Sequence, residues 1–245
     1  MNALILLLLS GLLGGASLPA AAPATSPVRQ PAILVFHKTA GFRHKSIPDG
    51  LRALLKLGQE NRFRVDTTAD NTRFTLAQLR AYRAVVFLNT TADVLNPDQQ
   101  AAFEQYIRAG HGFVGVHAAS DTEFDWPWYG GLVGAYFVNH PKVQPATVRV
   151  IDQRHPATAH LPAAWLRTDE WYNFRSLAPD LTVLATIDET TYSGGTNGAA
   201  HPFAWYHRYD GGRAFYTAGG HTPESYQEPA FLQHLLGGIR YAMGK

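Results

Sequence analysis

Three histidines stand in short polar segments where acid–base or metal chemistry is possible. His44 ends the segment 41–44, His117 follows the apolar run 112–116, and His221 comes directly after two glycines. Imidazole nitrogens bind zinc, manganese and similar divalent ions. They also transfer protons near neutral pH, because the pKa of a free imidazole is about 6.5. The sequence therefore supports two interpretations, a metal site formed by His44, His117 and His221, or proton transfer by His117 and His221.

His117 occupies a position where hydrolytic enzymes often carry a nucleophile. The sequence of residues 115–119, Gly-Val-His-Ala-Ala, is typical of a tight turn after a strand, and such turns usually present Ser or Cys. A histidine there suits a base or a metal ligand better than a covalent nucleophile. A lone histidine in such a turn more often only hydrogen-bonds to the backbone, so the chemical interpretation requires that His44 and His221 lie nearby.

Carboxylates and aromatic residues near these histidines complete the predicted site. Glu170 is predicted to act in catalysis with His117 and His221, because its aromatic neighbours would bury it and raise its pKa. Aromatic rings flanked by polar groups suit the apolar faces of sugars, although such rings are more often part of the core. The residues predicted to bind substrate are Arg43, Asp121, Trp126, Tyr129, His140, Trp171 and Glu224.

Alternating strand and helix patterns place these segments at one edge of a sheet. Apolar runs at 32–36, 84–88 and 112–116 are typical of buried strands, and Asn96 followed by Pro97 indicates the start of a helix. The alternation predicts an α/β fold in which helices cover both faces of a mostly parallel sheet. Ligand sites in such folds form at the carboxyl ends of the strands.

The second half of the chain is less regular. Strands are predicted at 143–150 and 182–187, and a hairpin is predicted at 202–217 around Asp-Gly-Gly. Residues 229–243 carry an apolar stripe that predicts a helix. Residues 125–134, rich in tryptophan and glycine, are predicted to form a functional loop.

The amino terminus predicts export. Residues 3–13 are almost all apolar, and small residues with prolines follow at 20–24, which together are typical of a signal peptide. The apolar run is shorter than the roughly 20 residues that span a bilayer, so a membrane anchor is disfavoured. We therefore expect a signal peptide at 1–24, a linker at 25–31 and a single domain at 32–245. This organisation predicts a periplasmic or extracellular protein without membrane contact beyond the signal.

Composition excludes several classes of function. The sequence contains no cysteine, which rules out disulfides, thiol catalysis and zinc–thiolate sites. A net charge of +2 without a basic block argues against nucleic acid as a partner. Nucleotide-binding motifs and a serine nucleophile elbow are absent from the sequence. No pattern indicates an oligomeric state.

Four ordered motifs resemble the ThuA-like (trehalose-utilisation) family. They are Gly-Phe-Arg-His at 41–44, Gly-Val-His-Ala-Ala at 115–119, Asp-Glu-Trp-Tyr at 169–172, and the segment 215–226. The resemblance implies a single flavodoxin-like domain similar to class I glutamine amidotransferases. In that fold the turn equivalent to 115–119 carries the catalytic cysteine. Because His117 stands there, amidotransferase activity is not implied.

The resemblance also implies a small-molecule carbohydrate as substrate. The family is associated with the breakdown of disaccharides and keto-sugars, which predicts cleavage of the glycosidic bond of a disaccharide or 3-keto-glycoside. A ketone at C3 acidifies the C2 proton, so a base such as His117 would remove it and the glycosidic oxygen would leave. Zinc or manganese on His44, His117 or His221 would stabilise the enolate. The alternative is a non-catalytic sugar-binding or glycan-binding module with an aromatic-lined cleft, in which Trp126, Trp128, Tyr129 and Trp171 stack on the sugar.

Overall fold

The computed structural model of the protein describes Met1 and residues 30–245. Apart from Met1, the predicted signal peptide lies outside the described residues, as does most of the predicted linker. Among the helices that are described, none is long and apolar enough to cross a membrane.

Strands and helices alternate through the first half of the domain. The strands are β1 (Ala32–Phe36), β2 (Arg64–Thr68), β3 (Ala84–Leu88) and β4 (Gly112–Val116), and the helices are α1 (Ile47–Glu60), α2 (Leu76–Leu79) and α3 (Pro97–Arg108). Every residue of β1, β3 and β4 is buried, which is why these strands are continuous apolar runs. Helix α3 begins with a capping box, in which Asn96 Oδ1 accepts a hydrogen bond from the backbone N–H of Gln99 at 3.0 Å.

The second half adds mostly strands. They are β5 (Tyr136–Asn139), β6 (Gln144–Val150), β7 (Ala164–Asp169), β8 (Asn173–Arg175), β9 (Thr182–Ile187), β10 (Pro202–Tyr209) and β11 (Gly212–Thr217), together with the helices α4 (Pro127–Val133) and α5 (Pro229–Ala242). The hairpin β10–β11, the strands β6 and β9 and the helix α5 confirm the predictions for these segments.

The prediction of a loop at 125–134 is wrong, because helix α4 forms there. Pro127 occupies the first turn of α4, and Gly134 ends the helix in the left-handed region at φ 91°. Gly130 stands inside the helix because a Cβ there would lie 2.6 Å from the ring of Tyr136. This glycine allows close packing of the helix rather than a loop.

Nine strands form one sheet in the order β2-β1-β3-β4-β11-β10-β9-β6-β7, and β5 and β8 pair separately. Strands β2, β1, β3, β4 and β11 are parallel neighbours, whereas each remaining neighbour pair is antiparallel. The parallel part has the strand order of a flavodoxin-like fold, which confirms the predicted fold class. Strands β10 and β6 run opposite to the others, so β7 ends at the same sheet edge as β1, β4 and β11.

Helix α5 packs unusually close to the sheet. A Cβ on Gly238 would lie 2.3 Å from the ring of Phe215 in β11, and a Cβ on Gly237 would lie 2.4 Å from the backbone of Ala157. The missing side chain of Gly238 therefore lets α5 approach strand β11, and that of Gly237 lets the helix approach the segment around Ala157.

Candidate metal centre

Three histidines and one glutamate meet at the carboxyl edge of the sheet. His44 follows β1, His117 follows β4, Glu170 follows β7 and His221 follows β11. One nitrogen or oxygen from each of these side chains lies within 4.8 Å of the others. The structure thus brings together the three predicted metal-binding histidines and adds Glu170, which was predicted to be catalytic.

The turn after β4 fixes the orientation of His117. His117 has a φ of 47°, in the left-handed region that non-glycine residues rarely adopt. Its main-chain oxygen accepts a hydrogen bond from the hydroxyl of Tyr216 at 2.7 Å. Its Nδ1 donates to the carbonyl oxygen of Ala218 at 2.7 Å, so in the neutral ring the lone pair is on Nε2. Nε2 lies 3.4 Å from Oε2 of Glu170, directed into the cluster.

Three ring nitrogens in the cluster are buried without a hydrogen-bond partner among the described residues. They are His44 Nδ1, His117 Nε2 and His221 Nδ1. His221 Nδ1 lies 3.0 Å from Glu170 Oε2, but this contact lacks the geometry of a hydrogen bond. A buried polar atom without a partner costs about 1–3 kcal/mol, so the set indicates a site shaped for a positively charged ligand.

Burial and neighbouring charges shift the pKa of three cluster residues. Burial, together with the neighbouring His117 and His221, lowers the pKa of His44 to about 2, so its ring is neutral. Burial opposes ionisation of Glu170, but His117 and His221 outweigh it and bring the pKa of Glu170 well below its usual value. The predicted rise in the pKa of Glu170 is therefore wrong. Burial likewise lowers the pKa of His221, and Glu170 reverses this effect and raises it. The neutral ring of His44 and the ionised carboxylate of Glu170 are donor forms that zinc and manganese require, whereas His221 has to release its proton when a metal binds.

Asp169 holds two of the cluster residues through their backbone. Its fully buried carboxylate accepts hydrogen bonds from the N–H groups of Gly220 at 2.9 Å, His221 at 3.1 Å and Glu170 at 3.0 Å. The hydroxyl of Ser225 donates to the same carboxylate at 3.0 Å. Asp169 therefore joins the strand end that carries Glu170 to the loop that carries His221.

Arg167, on the same buried face of β7, balances the charge of Asp169. Its Nη2 lies 3.2 Å from Asp169 Oδ2 and 3.4 Å from Glu228 Oε2. The guanidinium also lies 4.6 Å from the ring centroids of Trp165 and Phe231. The sequence prediction missed Arg167 and gave Asp169 no role, although the adjacent Glu170 was a signal for Asp169.

Asn89, at the end of β3, joins the loops that carry His44 and His221. Its Nδ2 donates to Ser46 Oγ at 3.0 Å and to the carbonyl oxygen of Gly220 at 3.1 Å. Ser46 Oγ donates to the same carbonyl oxygen at 3.0 Å. The two loops are thus held to each other and to the sheet by buried hydrogen bonds.

A cavity of about 340 Å³ opens over the cluster. Asp121 and His140, both predicted to bind substrate, line this cavity. Burial raises the pKa of Asp121 to about 6, and His140 Nδ1 lies 3.0 Å from Glu170 Oε1. The lining consists of Phe42, His44, Asp121, Phe137, His140, Glu170, Tyr172 and His221.

Phe137 and Tyr172 were missed by the sequence prediction. The Tyr172 ring lies 4.1 Å from the His117 ring, measured between centroids. The position of Tyr172 in the Asp-Glu-Trp-Tyr motif, two residues after Glu170, was the sequence feature that could have indicated it. Phe137 lies in β5, an element that the sequence did not predict.

The predicted sugar-stacking role of Trp126, Tyr129 and Trp171 is wrong, because these rings belong to the core. Tyr129 and Trp171 are fully buried and Trp126 is 8% exposed. Their polar atoms are used internally. Trp126 Nε1 donates to Glu104 at 3.1 Å, Tyr129 donates its hydroxyl to the carbonyl of Ala119 at 2.7 Å, and Trp171 donates to the carbonyl of Gln144 at 2.9 Å. Large aromatic rings stabilise a core strongly because of the area that they bury, which is why these three rings lie inside the domain.

The two remaining predicted substrate-binding residues lie outside this cavity. Arg43 is exposed and is not part of the cavity lining. Glu224 is also exposed, and it lines a neighbouring cavity together with His221. Although Arg43 and His44 are adjacent in sequence, His44 is buried in the cluster and Arg43 is exposed to solvent.

The strand order defines a flavodoxin-like α/β domain with a polar site at the carboxyl ends of its strands. The sequence matches the ThuA family, described as trehalose utilisation, over residues 32–242. The chain therefore belongs to the ThuA family, which gives it a carbohydrate-related context. No curated protein gives a match to the chain.

Solved structures share this fold. A ThuA-like protein from Bacteroides uniformis is 24% identical, with a TM-score of 0.74 over 91% of this chain and 95% of that one. A ThuA-like protein from Parabacteroides merdae is 20% identical, with a TM-score of 0.74 over 89% and 91% of the two chains. A GMP synthase component from Thermoplasma acidophilum is 12% identical, with a TM-score of 0.52 over 89% and 100%. At these identities the similarity concerns the fold alone.

Proposed function

We propose that this protein is a metal-assisted enzyme that cleaves the glycosidic bond of a 3-keto-glycoside. The observation that carries the proposal is the convergence of His44, His117, Glu170 and His221 within 4.8 Å beneath a cavity of about 340 Å³. Membership of a family described as trehalose utilisation supports a carbohydrate substrate.

These four side chains would hold zinc or manganese. The bound ion supplies Lewis-acid chemistry, which polarises a carbonyl and stabilises the negative charge of an enolate. The chain's own contribution is to orient the donors. The carbonyl of Ala218 keeps a proton on Nδ1 of His117 and leaves Nε2 free, as backbone partners of metal-binding histidines commonly do.

Asp121 is the residue best suited to transfer protons. It lines the same cavity, and burial raises its pKa to about 6, which is close to the operating pH that favours general acid–base catalysis. His117 Nε2 faces the cluster, where it would bind the metal. We therefore assign the role of base, which was predicted for His117, to Asp121.

The proposed reaction is an elimination. Asp121 takes the proton from C2, next to the C3 ketone. The electron pair of that C–H bond first moves onto the ketone as an enolate, and it then forms the C1–C2 double bond as the bond from C1 to the glycosidic oxygen breaks. The departing glycosidic oxygen takes this proton from Asp121, which restores the carboxylate, so the products are an unsaturated keto-sugar and a free alcohol or sugar.

The binding-module alternative has less support. Of its predicted stacking rings, Trp126, Tyr129 and Trp171 are part of the core. The half-buried Trp128 packs against that core and donates its Nε1–H to Asp210 at 2.7 Å. A module that only binds sugar also gives no reason for three buried, unpartnered histidine nitrogens around one carboxylate.

We also propose that the protein is exported. The support is the apolar run at 3–13 followed by small residues at 20–24. Sequencing the amino terminus of the protein recovered from the periplasm or medium tests this, with a new terminus near residue 25 expected. An intact Met1 in a cytosolic fraction would overturn it.

The test of the reaction uses zinc-loaded protein and 3-keto-trehalose. We expect release of glucose together with an unsaturated keto-sugar detected by its ultraviolet absorbance. Asp121→Asn should lower kcat at least about 100-fold, as expected for the loss of general acid–base catalysis, while metal content is unchanged. Asp125→Asn is the matched control, because Asp125 is exposed and does not line the cavity. Wild-type levels of turnover in Asp121→Asn would refute the role of Asp121, and no turnover in the wild type would refute the reaction.

A further inference from the structure

A second cavity adjoins the first. Its volume is about 360 Å³, and it shares Phe42 and His221 with the cavity over the cluster. Its lining consists of Phe42, Lys45, Val143, His221, Thr222, Pro223 and Glu224. The two cavities thus form one cleft with a ridge between them, made by Phe42 and His221.

Phe42 is an exposed aromatic ring on a fixed loop. Its exposed fraction is 64%. Thr91 holds this loop through two hydrogen bonds. The N–H of Ala40 donates to the Thr91 carbonyl oxygen at 3.0 Å, and the N–H of Gly41 donates to the Thr91 hydroxyl at 3.3 Å. The Thr91 hydroxyl donates to the Phe42 carbonyl at 2.9 Å. The backbone of this residue is therefore already ordered, so a ligand face that packs on the ring gains apolar contact without the cost of ordering the loop.

The chemistry of the second cavity suits an uncharged, hydroxyl-rich ligand. Lys45 offers donors, Glu224 offers acceptors, and the hydroxyl of Thr222 offers both. The two charges are opposite in sign, so neither an anion nor a cation is favoured overall. Each cavity lies at the lower end of the range for ligand pockets, roughly 300–1,000 Å³, which favours one sugar ring in each.

We propose that the second cavity binds the leaving-group sugar of a disaccharide whose 3-keto ring lies in the first. This inference rests on the proposed function and names its substrate class as disaccharides rather than simple alkyl glycosides. The glycosidic bond then crosses the ridge formed by Phe42 and His221. Phe42 would contact both sugar rings, because it lines both cavities.

The test compares two substrates that differ only in the leaving group, 3-keto-trehalose and methyl 3-keto-α-glucoside. Val143→Trp fills the second cavity, because Val143 lines that cavity and not the first. Val138→Trp is the control, since Val138 is similarly exposed, at 47% against 40%, and lines neither cavity. We expect Val143→Trp to lower kcat/KM at least about tenfold, or 1.4 kcal/mol, for the disaccharide and less than about twofold for the methyl glycoside. Equal effects on both substrates, or none, would overturn the subsite.

Calorimetric binding separates failure of this inference from failure of the proposed reaction. If the wild type converts neither substrate, the reaction is refuted, and titration with trehalose and methyl α-glucoside then tests the subsite alone. The subsite requires tighter binding of trehalose by the wild type, and it requires Val143→Trp to remove that difference. Equal affinity of the wild type for the two sugars, or binding of neither, would refute it.

Discussion

Replacing Asp169 by Asn removes the buried charge that anchors the backbone of Glu170 and His221 in the histidine–glutamate cluster. The carboxylate accepts four hydrogen bonds, from the backbone of Glu170, Gly220 and His221 and from Ser225. In Asp169→Asn one of the two oxygens becomes an NH₂ group, which cannot accept from the N–H groups it faces. Arg167, whose side chain is 2% exposed, loses its nearer carboxylate partner at 3.2 Å.

The magnitude follows from burial of the pair. Removing one partner of a buried ion pair costs about 3–5 kcal/mol. The unfolding free energy of a domain is typically about 5–15 kcal/mol, so the variant should fold with much reduced stability. Because Glu170 and His221 lose their backbone anchor, zinc affinity should fall about 10–100-fold, as it does when groups that orient metal ligands are removed.

Two assays separate these effects. Urea unfolding of the metal-free protein gives the loss of stability, and titration against a competing chelator gives the zinc Kd. Asp188→Asn is the matched control, since Asp188 pairs with Arg149 at 2.9 Å on the surface, where solvent weakens the pair. A destabilised Asp169→Asn variant with an unchanged zinc Kd would refute the view that Asp169 positions the cluster.

Three further predictions test the structure at other points. Burial lowers the pKa of His234 to about 3, so the unfolded chain takes up its proton first, and stability falls as the pH drops from about 6.5 towards 3. Since the slope from one such residue is up to about 1.4 kcal/mol per pH unit, the loss between pH 7 and pH 5, measured by urea unfolding, should be smaller in His234→Leu, and an equal loss would contradict this. Gly238→Ala should cost about 1–3 kcal/mol by overpacking against Phe215, which chemical denaturation measures, and an unchanged midpoint would show that α5 is not so close to β11. Zinc at about 100 times its Kd should stabilise the wild type by about 2.7 kcal/mol, seen as a higher Tm, whereas His44→Ala should show little of this shift and a full shift would exclude His44 as a ligand.

The sequence predicted the parallel half of the sheet well, because its strands are buried on both faces. Strands β1, β3 and β4 are runs of five buried residues, and such runs differ clearly from the helices between them. The three histidines could be assigned to one place because each follows a strand whose carboxyl end lies at the same edge. Glu170 lies beside the three histidines because it follows β7, a strand that the sequence did not predict.

The elements that sequence reasoning missed have polar or aromatic residues in unexpected environments. Strand β7 carries Arg167 and Asp169 on its buried face, with Leu166 71% exposed between Trp165 and Arg167, which inverts the usual alternation of buried apolar and exposed polar residues. The tryptophan- and glycine-rich segment forms α4 because its small residues allow close packing, as Gly130 does against Tyr136. A buried arginine cannot be recognised from its own residue type, because the partner that balances its charge can be distant in sequence. For Arg167 one such partner is Glu228.

Metal content tests the central claim most directly. Elemental analysis would be made on protein purified without a histidine tag, for the wild type, His117→Ala and the control His160→Ala, whose histidine is exposed and outside the cluster. The metal centre predicts one equivalent of zinc or manganese in the wild type and in His160→Ala, and almost none in His117→Ala. The same metal content in all three proteins, or no uptake by the wild type when zinc is supplied, would contradict it.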